Sequence, residues 1–285
     1  MKNVPLSAVI GLFITASYFL AAIFASVISP YGMAETVGDV WEPSRIGYML
    51  GLMPEGTPRP EYWLGTDQIG RDLLTRMIYG GQTTIFIATA ATILSFVTGS
   101  VLGFLAAVTG GWFDQLMSRF VDLMMAIPSL ILALVILSSI EATVLTLIVL
   151  MGLLDSTRVY RLARAVAVDI SVMDYVEAAR LRGEKLAWII FREILPNALS
   201  PLVAEMGLRF IFMVLFISTL SFLGIGVQPP LADWGGIVKE NKDGINFGIG
   251  AALYPALAIA TLAISVNLVA DWVLNRTTSL KGGRG

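Results

Sequence analysis

The sequence contains no cysteine and no histidine among its 285 residues. The lack of cysteine excludes disulfide bonds, thiolate nucleophiles and cysteine-ligated metal sites. The lack of histidine excludes Ser-His and Cys-His catalysis and histidine-ligated zinc or haem. Charged residues are also scarce, at 14% against 56% hydrophobic residues, whereas a soluble domain usually carries about 25% charged residues. The composition therefore predicts a membrane protein with several spans, and the net charge of −2 gives no positive field for nucleic acid.

Long apolar segments predict where the chain crosses the membrane. Residues 6–29 carry no charge and would form about 36 Å of helix, enough for a hydrocarbon core of about 30 Å. A cleaved signal peptide is the alternative, but its apolar stretch usually spans only roughly 7–15 residues, so we expect an uncleaved anchor. Further apolar spans cover residues 83–109, 208–227 and roughly 245–270.

The segment 123–154 decides the number of spans. Its only charge is Glu141, and at about 48 Å it is too long for one helix without strong tilt. Two helices with an outer turn at Ser138–Glu141 give six spans, with both termini and residues 155–200 on one side. That side then holds twelve of the nineteen Lys and Arg residues and the other holds six, as the positive-inside rule requires of a cytoplasmic side. Since backbone polar groups in a bilayer must be satisfied internally, the sequence predicts an all-α membrane protein with six transmembrane helices.

The predicted organisation has four parts. They are an N-terminal region with the first span (1–29), an extracytoplasmic segment with an interfacial helix (30–82), a main membrane domain (83–275) that includes the cytoplasmic loop 155–200, and a cytoplasmic tail (276–285). Gly99 and Gly103 have the spacing of a close helix contact, for which packing within the chain is favoured over a dimer seam. Glu205 and Arg209 are four residues apart on the fifth span and are expected to pair.

Two outer motifs stand out. The first, Gly65-Thr66-Asp67-Gln68-Ile69-Gly70-Arg71-Asp72, offers Thr66 or Asp67 as a helix cap, followed by apolar residues at helical spacing. It predicts a helix along the outer surface that turns into the second span, either as a structural elbow or as a substrate contact. The second runs from Gly226 to Gly236 through Gln228-Pro229-Pro230 and Trp234-Gly235, and Trp234 is expected to anchor at the interface or to contact a soluble partner.

The loop between spans four and five carries the most specific pattern. Residues 155–169 read as helix, Ser171 and Asp174 have N-cap spacing, and Gly183 suits a C-cap. The short helix between them, Tyr175–Arg182, would expose Ala178 and Ala179 to the close approach of a partner, with Glu177 and Arg180 at its rim. Pro196 fits the first turn of the fifth span. A solvated connector is the alternative for this segment.

The order Glu177-Ala178-Ala179, Gly183 and Leu195-Pro196 resembles the E-A-A loop of permease subunits of bacterial ATP-binding-cassette (ABC) importers. The two outer motifs, Asp122 with Ala126-Ile127-Pro128-Ser129, and Arg192–Asn197 are similar to the dipeptide/oligopeptide/nickel branch, and to its C-type permease in particular. Together these matches cover residues 62–275, whereas residues 30–60 match poorly.

The resemblance implies a type I ABC importer permease fold, with 83–275 as the transmembrane type-1 domain, in the bacterial inner membrane. The implied partners are a homologous second permease, two cytoplasmic ATPase subunits and an extracytoplasmic solute-binding protein. Implied ATPase-coupling residues are Asp174, Tyr175, Glu177, Ala178, Ala179, Arg180, Gly183 and Pro196. Implied outer family residues are Gly65, Thr66, Asp67, Gly70, Arg71, Asp72, Gln228, Pro229, Pro230, Trp234 and Gly235.

No phosphate-binding G-x-x-x-x-G-K-[ST] motif occurs in the sequence, so this chain is not the ATPase. The expectation is a non-catalytic subunit without catalytic or metal-binding residues and without a cofactor of its own, because ATP and Mg²⁺ would bind the partner ATPases. Peptides are the expected substrate, with nickel, glutathione or another small solute as alternatives. An ion-gradient-driven secondary transporter is a further alternative, but it would usually show broken helices in an internal repeat, which the sequence does not show.

Overall fold

The computed structural model describes residues 5–52 and 59–281, and every regular element within those ranges is helical. The predicted positions at residues 1–4, 53–58 and 282–285 lie outside the described residues. The helices are α1 (Leu6–Ile23), α2 (Ala25–Ile28), α3 (Arg45–Met49), α4 (Leu73–Thr109), α5 (Gly111–Ala126), α6 (Ser129–Leu137), α7 (Val144–Ser171), α8 (Asp174–Leu181), α9 (Leu186–Trp188), α10 (Leu195–Leu223), α11 (Trp234–Asn241) and α12 (Leu253–Lys281). A π-helical turn, Ile189–Ile194, joins α9 to α10.

Four helical segments of the described ranges are long and apolar enough to cross a membrane. They are Leu6–Ile23, Leu73–Thr109, Leu186–Leu223 and Gly250–Asn275. The pair α5 and α6, bent by 82° at a short break, makes a fifth if the two halves form one span. The helical bundle is thus confirmed, while the sixth span depends on α7, whose first half is apolar and whose second half carries several arginines.

The predicted turn within 123–154 is confirmed. Helix α6 ends at Leu137 and α7 begins at Val144, so residues 138–141 lie in the connection. Thr143 starts α7, because its hydroxyl accepts a hydrogen bond from the backbone N–H of Thr146 at 3.1 Å and satisfies one free donor of the first turn.

Two glycines set the spacing between α4 and α7. A Cβ atom on Gly99 would lie 2.7 Å from the backbone oxygen of Ser156, and one on Gly103 would lie 2.8 Å from that of Tyr160. Real Cβ atoms do not approach backbone so closely, so larger residues would push the helices apart. This contact lies within the chain, as the sequence suggested.

Helix α7 continues well past the membrane-sized part of its length. Residues 155–169, predicted as a separate loop helix, are its second half. That half packs with the end of α4, α8, the π-helical turn and the start of α10 around buried residues that include Phe104, Ile170, Val176 and Ile194. We call this part of the molecule the α8 end, and the opposite part, where α4 starts and α10 ends, the α11 end.

Candidate functional site

Helix α8 is short and firmly closed at its C-terminus. Gly183 follows it in a left-handed conformation with φ of +79°. The backbone N–H of Gly183 donates to the oxygen of Arg180 at 2.9 Å, and that of Glu184 donates to the oxygen of Ala179 at 3.2 Å. This pair of hydrogen bonds is a Schellman motif, so the predicted C-cap at Gly183 is confirmed.

The N-terminus of α8 differs from the prediction. Met173 occupies the N-cap position without a side-chain cap, while the Ser171 hydroxyl donates to the backbone oxygen of Val168 at 2.9 Å. The predicted cap at Ser171 is therefore wrong, because that hydroxyl closes the last turn of α7. Asp174 and Glu177 in the first turn of α8 complement the positive end of its dipole.

One face of α8 is buried and the other is open. Val176 and Ala179 are fully buried against the α8-end core, so Ala179 does not face a partner as expected. Ala178 and Glu177 are exposed, as are Asp174, Tyr175 and Arg180. Leu181 is 83% exposed, which is unusual for a leucine on a rigid helix and identifies an uncovered apolar spot beside the charged rim.

Pro196 lies in the first turn of α10, as predicted. The helical path does not begin there, however, since Leu186–Leu223 is continuous. A proline in a helix removes one backbone hydrogen bond and crowds the preceding turn. The π-helical turn immediately before it, Ile189–Ile194, is a usual way to absorb such a disturbance.

The first outer motif forms an ion-pair cluster at the α11 end. The Asp67 carboxylate accepts hydrogen bonds from Arg71 Nε and Arg76 Nη1, each at 2.7 Å. Arg71 Nη2 also donates to Glu240 of α11 at 2.7 Å, and Arg76 contacts the same carboxylate. Asp67 and Arg76 are almost fully buried. We call Asp67, Arg71, Arg76 and Glu240 the charge cluster.

The environment of Asp67 favours its ionised form. Burial alone would raise the pKa of this carboxyl. The backbone N–H groups of Arg71 and Ile69 and the guanidinium groups of Arg71 and Arg76 outweigh burial and hold the pKa below its usual value. Asp67 is therefore a structural anion at physiological pH.

The predicted cap of the following helix is misplaced. Helix α4 begins at Leu73, and its cap is Asp72, which accepts from the Thr75 backbone N–H at 2.7 Å. Thr66 instead binds the preceding segment, because its hydroxyl donates to the Asp39 oxygen at 2.6 Å and accepts from the Glu42 N–H at 2.7 Å. No surface helix precedes α4 in residues 59–72, and α4 runs into the membrane-sized span without a break.

The motif glycines permit this close packing. Gly65 and Gly70 have φ of +81° and +79°, and a Cβ on them would lie 2.3 Å from the oxygen of Glu42 and 2.1 Å from that of Gly38. The segment 30–52 thus lies directly on the first outer motif. Trp41 adds a hydrogen bond from Nε1 to Asn241 of α11 at 3.2 Å.

The second outer motif packs inward. Trp234 is only 2% exposed, and its Nε1 donates to the backbone oxygen of Met77 at 3.0 Å. A Cβ on Gly81 would lie 2.9 Å from the indole, so the ring fills a hole in α4. Gly235 lies against the Ser218 backbone. The expected interface or partner role of Trp234 is therefore wrong.

The remaining residues of that motif are open. Gln228, Pro229 and Pro230 are exposed, with a cis bond between the prolines. Gln228 and Pro229 border a cavity of about 440 Å³ beside Lys239 and Glu240.

Asp233, the N-cap of α11, has a raised pKa. Burial raises it to about 7, although hydrogen bonds from Ser221, Gly236 and Gly235 favour the ionised form.

Sequence reasoning missed several of these residues. Glu240, Asn241 and Trp41 were not predicted to have a role. Arg76 was placed only on the polar face of the predicted outer helix, although a charged residue in the apolar start of α4 was a usable signal of a buried pair. The predicted Glu205–Arg209 pair is confirmed at 2.8 Å. Asp155, the first residue of the segment 155–200 that was predicted to leave the membrane, instead lies inside α7 and is only 2% exposed. Within the described ranges, no group of three acidic side chains is placed to bind a metal.

Comparison with known proteins gives consistent matches. Residues 99–279 match the family described as binding-protein-dependent transport system inner membrane component. The dipeptide transport system permease protein DppC of Alkalihalophilus pseudofirmus is 31% identical over 93% of this chain and 83% of its own length. A putative peptide transport system permease protein of Brucella suis is 36% identical, over 88% and 82%. The glutathione transport system permease protein GsiD of Pectobacterium atrosepticum is 29% identical, over 75% and 71%.

Proposed function

This chain belongs to the family of binding-protein-dependent transport system inner membrane components, and we propose that it is a permease subunit of an ATP-driven importer of di- and oligopeptides. It is a multi-pass inner-membrane protein built from helices. The proposed assembly contains a homologous second permease, two cytoplasmic ATPase subunits and an extracytoplasmic solute-binding protein. In this assembly the chain has no catalytic role of its own.

The proposed substrate follows from the relatives. Those from Alkalihalophilus pseudofirmus and Brucella suis are named as dipeptide or peptide permeases, and that from Bacillus subtilis as an oligopeptide permease. The relative named for glutathione supports a second candidate of related chemistry, since glutathione is itself a tripeptide. In either case the binding protein would deliver the solute to the α11 end, which faces outward in the proposed orientation.

The observation that carries the coupling proposal is the geometry of α8. The helix is fixed on its buried face by Val176 and Ala179 and closed at its end by Gly183. Its open face presents Glu177, Ala178 and Leu181. A rigid, protruding helix of this kind can transmit force from a soluble partner, because it moves together with α7 and α10 rather than bending. We place it in contact with an ATPase subunit on the cytoplasmic side.

The proposed topology has six spans, with α7 as the fourth and both termini in the cytoplasm. Its support is the apolar first half of α7 and the connection between Leu137 and Val144. The last turns of α7, with α8 and α9, then extend below the membrane toward the ATPases.

The experiment compares Glu177→Arg with Asp169→Arg in the complete purified importer. Both residues are exposed acids of the α8 end, but only Glu177 lies on α8. Glu177→Arg should release the ATPase subunits or allow ATP hydrolysis without peptide uptake, lowering uptake at least tenfold. Asp169→Arg should retain most of the activity. Normal coupling in Glu177→Arg would refute the placement of α8 against an ATPase.

A further inference from the structure

Four charged side chains meet near the middle of α7 and α10. Asp155 accepts from the Ser95 hydroxyl at 3.0 Å and lies 3.5 Å from the guanidinium groups of both Arg158 and Arg209. Arg209 in turn donates to Glu205 at 2.8 Å. Three helices, α4, α7 and α10, therefore supply this second polar cluster, which we call the mid-helix cluster.

The mid-helix cluster lies at membrane depth. Arg209 is the central residue of α10, about 21 Å from either end of that helix at 1.5 Å per residue. Asp155 lies about 17 Å from the start of α7 and about 24 Å from its end. In a hydrocarbon core of about 30 Å, both positions lie inside the core if these helices span the membrane.

The cluster is not closed within this chain. The Asp155 side chain is 1% exposed, but those of Arg158, Arg209 and Glu205 are 31%, 24% and 26% exposed. Charges at membrane depth are costly against lipid and usually face a water-filled cavity or the interior of an assembly. The face that carries these three side chains therefore points away from lipid, toward the path that the proposed function requires between two permeases.

Arg158 holds its partners more loosely than Arg209 does. Its guanidinium lies 3.5 Å from Asp155 Oδ1 and 3.4 Å from the Ser129 hydroxyl, both at the limit of a hydrogen bond. Its Cζ lies over the Phe212 ring, 4.6 Å from the ring centroid. A guanidinium with five donors, supported by a ring and two long contacts, is suited to receive a carboxylate in bidentate geometry.

We propose that Arg158 binds the carboxylate of the transported peptide as it passes along this face, with Asp155 and Phe212 as the residues that position the guanidinium. The assignment rests on the proposed function and deepens it by naming a substrate contact. Asp155 accepts a hydrogen bond from Ser95 and lies equally close to Arg158 and Arg209. Because its single negative charge is divided between two arginines, it neutralises Arg158 only in part. The Glu205–Arg209 pair is satisfied locally and contributes little net charge.

The absence of native cysteine allows a direct test with single-cysteine variants of the complete importer. Ser129→Cys places a thiol beside Arg158, and Thr157→Cys, in the same small cavity, replaces it if Ser129→Cys does not assemble. The probes are anionic sulfonatoethyl and cationic trimethylammonioethyl methanethiosulfonate, which react with thiols from water. The matched control is Leu153→Cys, exposed on the same helix at a similar depth and about 140° from Arg158 around the axis.

We expect the engineered thiol beside Arg158 to react in water and to favour the anionic reagent over the cationic one, relative to free cysteine. Adding Arg158→Gln should lower this preference at least threefold, whereas Arg158→Lys should keep most of it. Leu153→Cys should resist both reagents. Arg158→Gln should also lower dipeptide uptake about tenfold, and Arg158→Lys less, in complexes of unchanged composition.

The inference is overturned if the thiol is protected from both reagents, or if the anionic preference is missing or survives Arg158→Gln. A missing preference would mean that an acidic group of the second permease neutralises Arg158, and a preference that survives Arg158→Gln would mean that another cation, such as Arg209, attracts the reagent. ATP-dependent peptide uptake by the unmodified importer is measured separately. If the importer takes up peptides but the thiol beside Arg158 shows no preference for the anionic reagent, only the role of Arg158 is refuted. If the importer shows no ATP-dependent uptake of any peptide, the proposed function is refuted.

Discussion

Arg76 and Glu240 are 164 residues apart in the chain and form an ion pair at the α11 end. Arg76 opens α4 and is 2% exposed, while Glu240 lies near the end of α11 with a side chain that is 23% exposed. The pair ties the first residues of a long membrane-sized helix to a short helix after α10. Because Arg76 also binds Asp67, the loop before α4 is fixed by the same guanidinium.

Replacement of Glu240 should weaken this attachment. Glu240→Gln leaves the buried Arg76 with Asp67 as its only described carboxylate partner, and we expect a loss of about 1–3 kcal/mol in the free energy of unfolding. Thermal unfolding of the detergent-purified chain measures it. Asp243→Asn removes the same charge at an exposed position nearby and should change stability little. Equal effects of the two variants would contradict a specific role for the pair.

Acid should loosen the charge cluster through Asp67. Its pKa is lower in the folded protein than in the unfolded chain, so its contribution is complete above about pH 4 and disappears as the pH falls through the folded value. The difference in unfolding temperature between wild type and Asp67→Asn should therefore shrink below about pH 4. A difference that stays constant from pH 3 to pH 6 would show that Asp67 does not titrate in this way.

Asp233 should make the folded protein less stable as the pH rises, which is opposite to the effect of Asp67 and occurs in a higher pH range. Its pKa is raised to about 7 by burial, so the folded state keeps a proton that the unfolded chain releases near pH 4. Stability is then highest at low pH and falls as the pH rises from about 4 to 7. Asp233→Asn keeps a good helix cap and removes this slope. The measurement is unfolding temperature against pH for both proteins, and parallel curves between pH 4 and 8 would rule the effect out.

The contact between α4 and α7 should tolerate no added methyl groups. Gly99→Ala with Gly103→Ala places Cβ atoms against the backbone of α7, and we expect a loss of about 1–3 kcal/mol from overpacking. Gly250→Ala is the control, because the nearest atom to its Cβ would be 3.8 Å away. Thermal unfolding would reveal an error if the double variant were as stable as the control.

The need for glycine at the end of α8 should come from backbone conformation alone and not from lack of space. A Cβ on Gly183 would meet no atom within 4 Å, but φ is +79°, so Gly183→Val costs about 1–2 kcal/mol of local strain. Asn adopts this conformation more readily. Gly183→Val should therefore reduce peptide uptake per ATP hydrolysed more than Gly183→Asn does. Equal losses in both variants would point to a direct contact at this glycine instead.

The parts of the fold that sequence predicted well are those set by neighbours in the chain. The stop of α8 at Gly183 follows from one residue that tolerates positive φ. The pairing of Glu205 with Arg209 follows from helical spacing. The turn before α7 follows from the length of an apolar run. Each requires only a few consecutive residues.

The errors concern contacts between distant segments. Trp234 is of a residue type that often anchors at a membrane interface, but its ring packs against Gly81 of α4, where a side chain would leave no room for it. The sequence around Trp234 does not reveal this contact with a distant helix. Thr66 has the sequence context of a helix cap, but its hydroxyl hydrogen-bonds to the backbone of Asp39 and Glu42 instead. The depth of Asp155 could not be read from the sequence, because α7 continues beyond the expected boundary.

The coupling role of Glu177 and its neighbours remains a prediction, since it depends on chains that lie outside this structure. The same holds for Gln228, Pro229 and Pro230, whose exposure allows contact with a binding protein. Asp67 and Arg71, by contrast, have a role that this chain alone explains. They form ion pairs in the charge cluster, which joins the start of α4 to α11.

Helix α4 runs for 37 residues without a break, a rod of about 55 Å with Arg76 near one tip and Phe104 near the other. A tilt of about 5° pivoting at one tip carries the far tip by roughly 5 Å, given that length. The loop around Asp67 is held at the first turn of α4 by Arg76, and the α8-end core packs on its last turns through Phe104. A tilt of α4 would therefore shift the α8 end and the α11 end relative to each other.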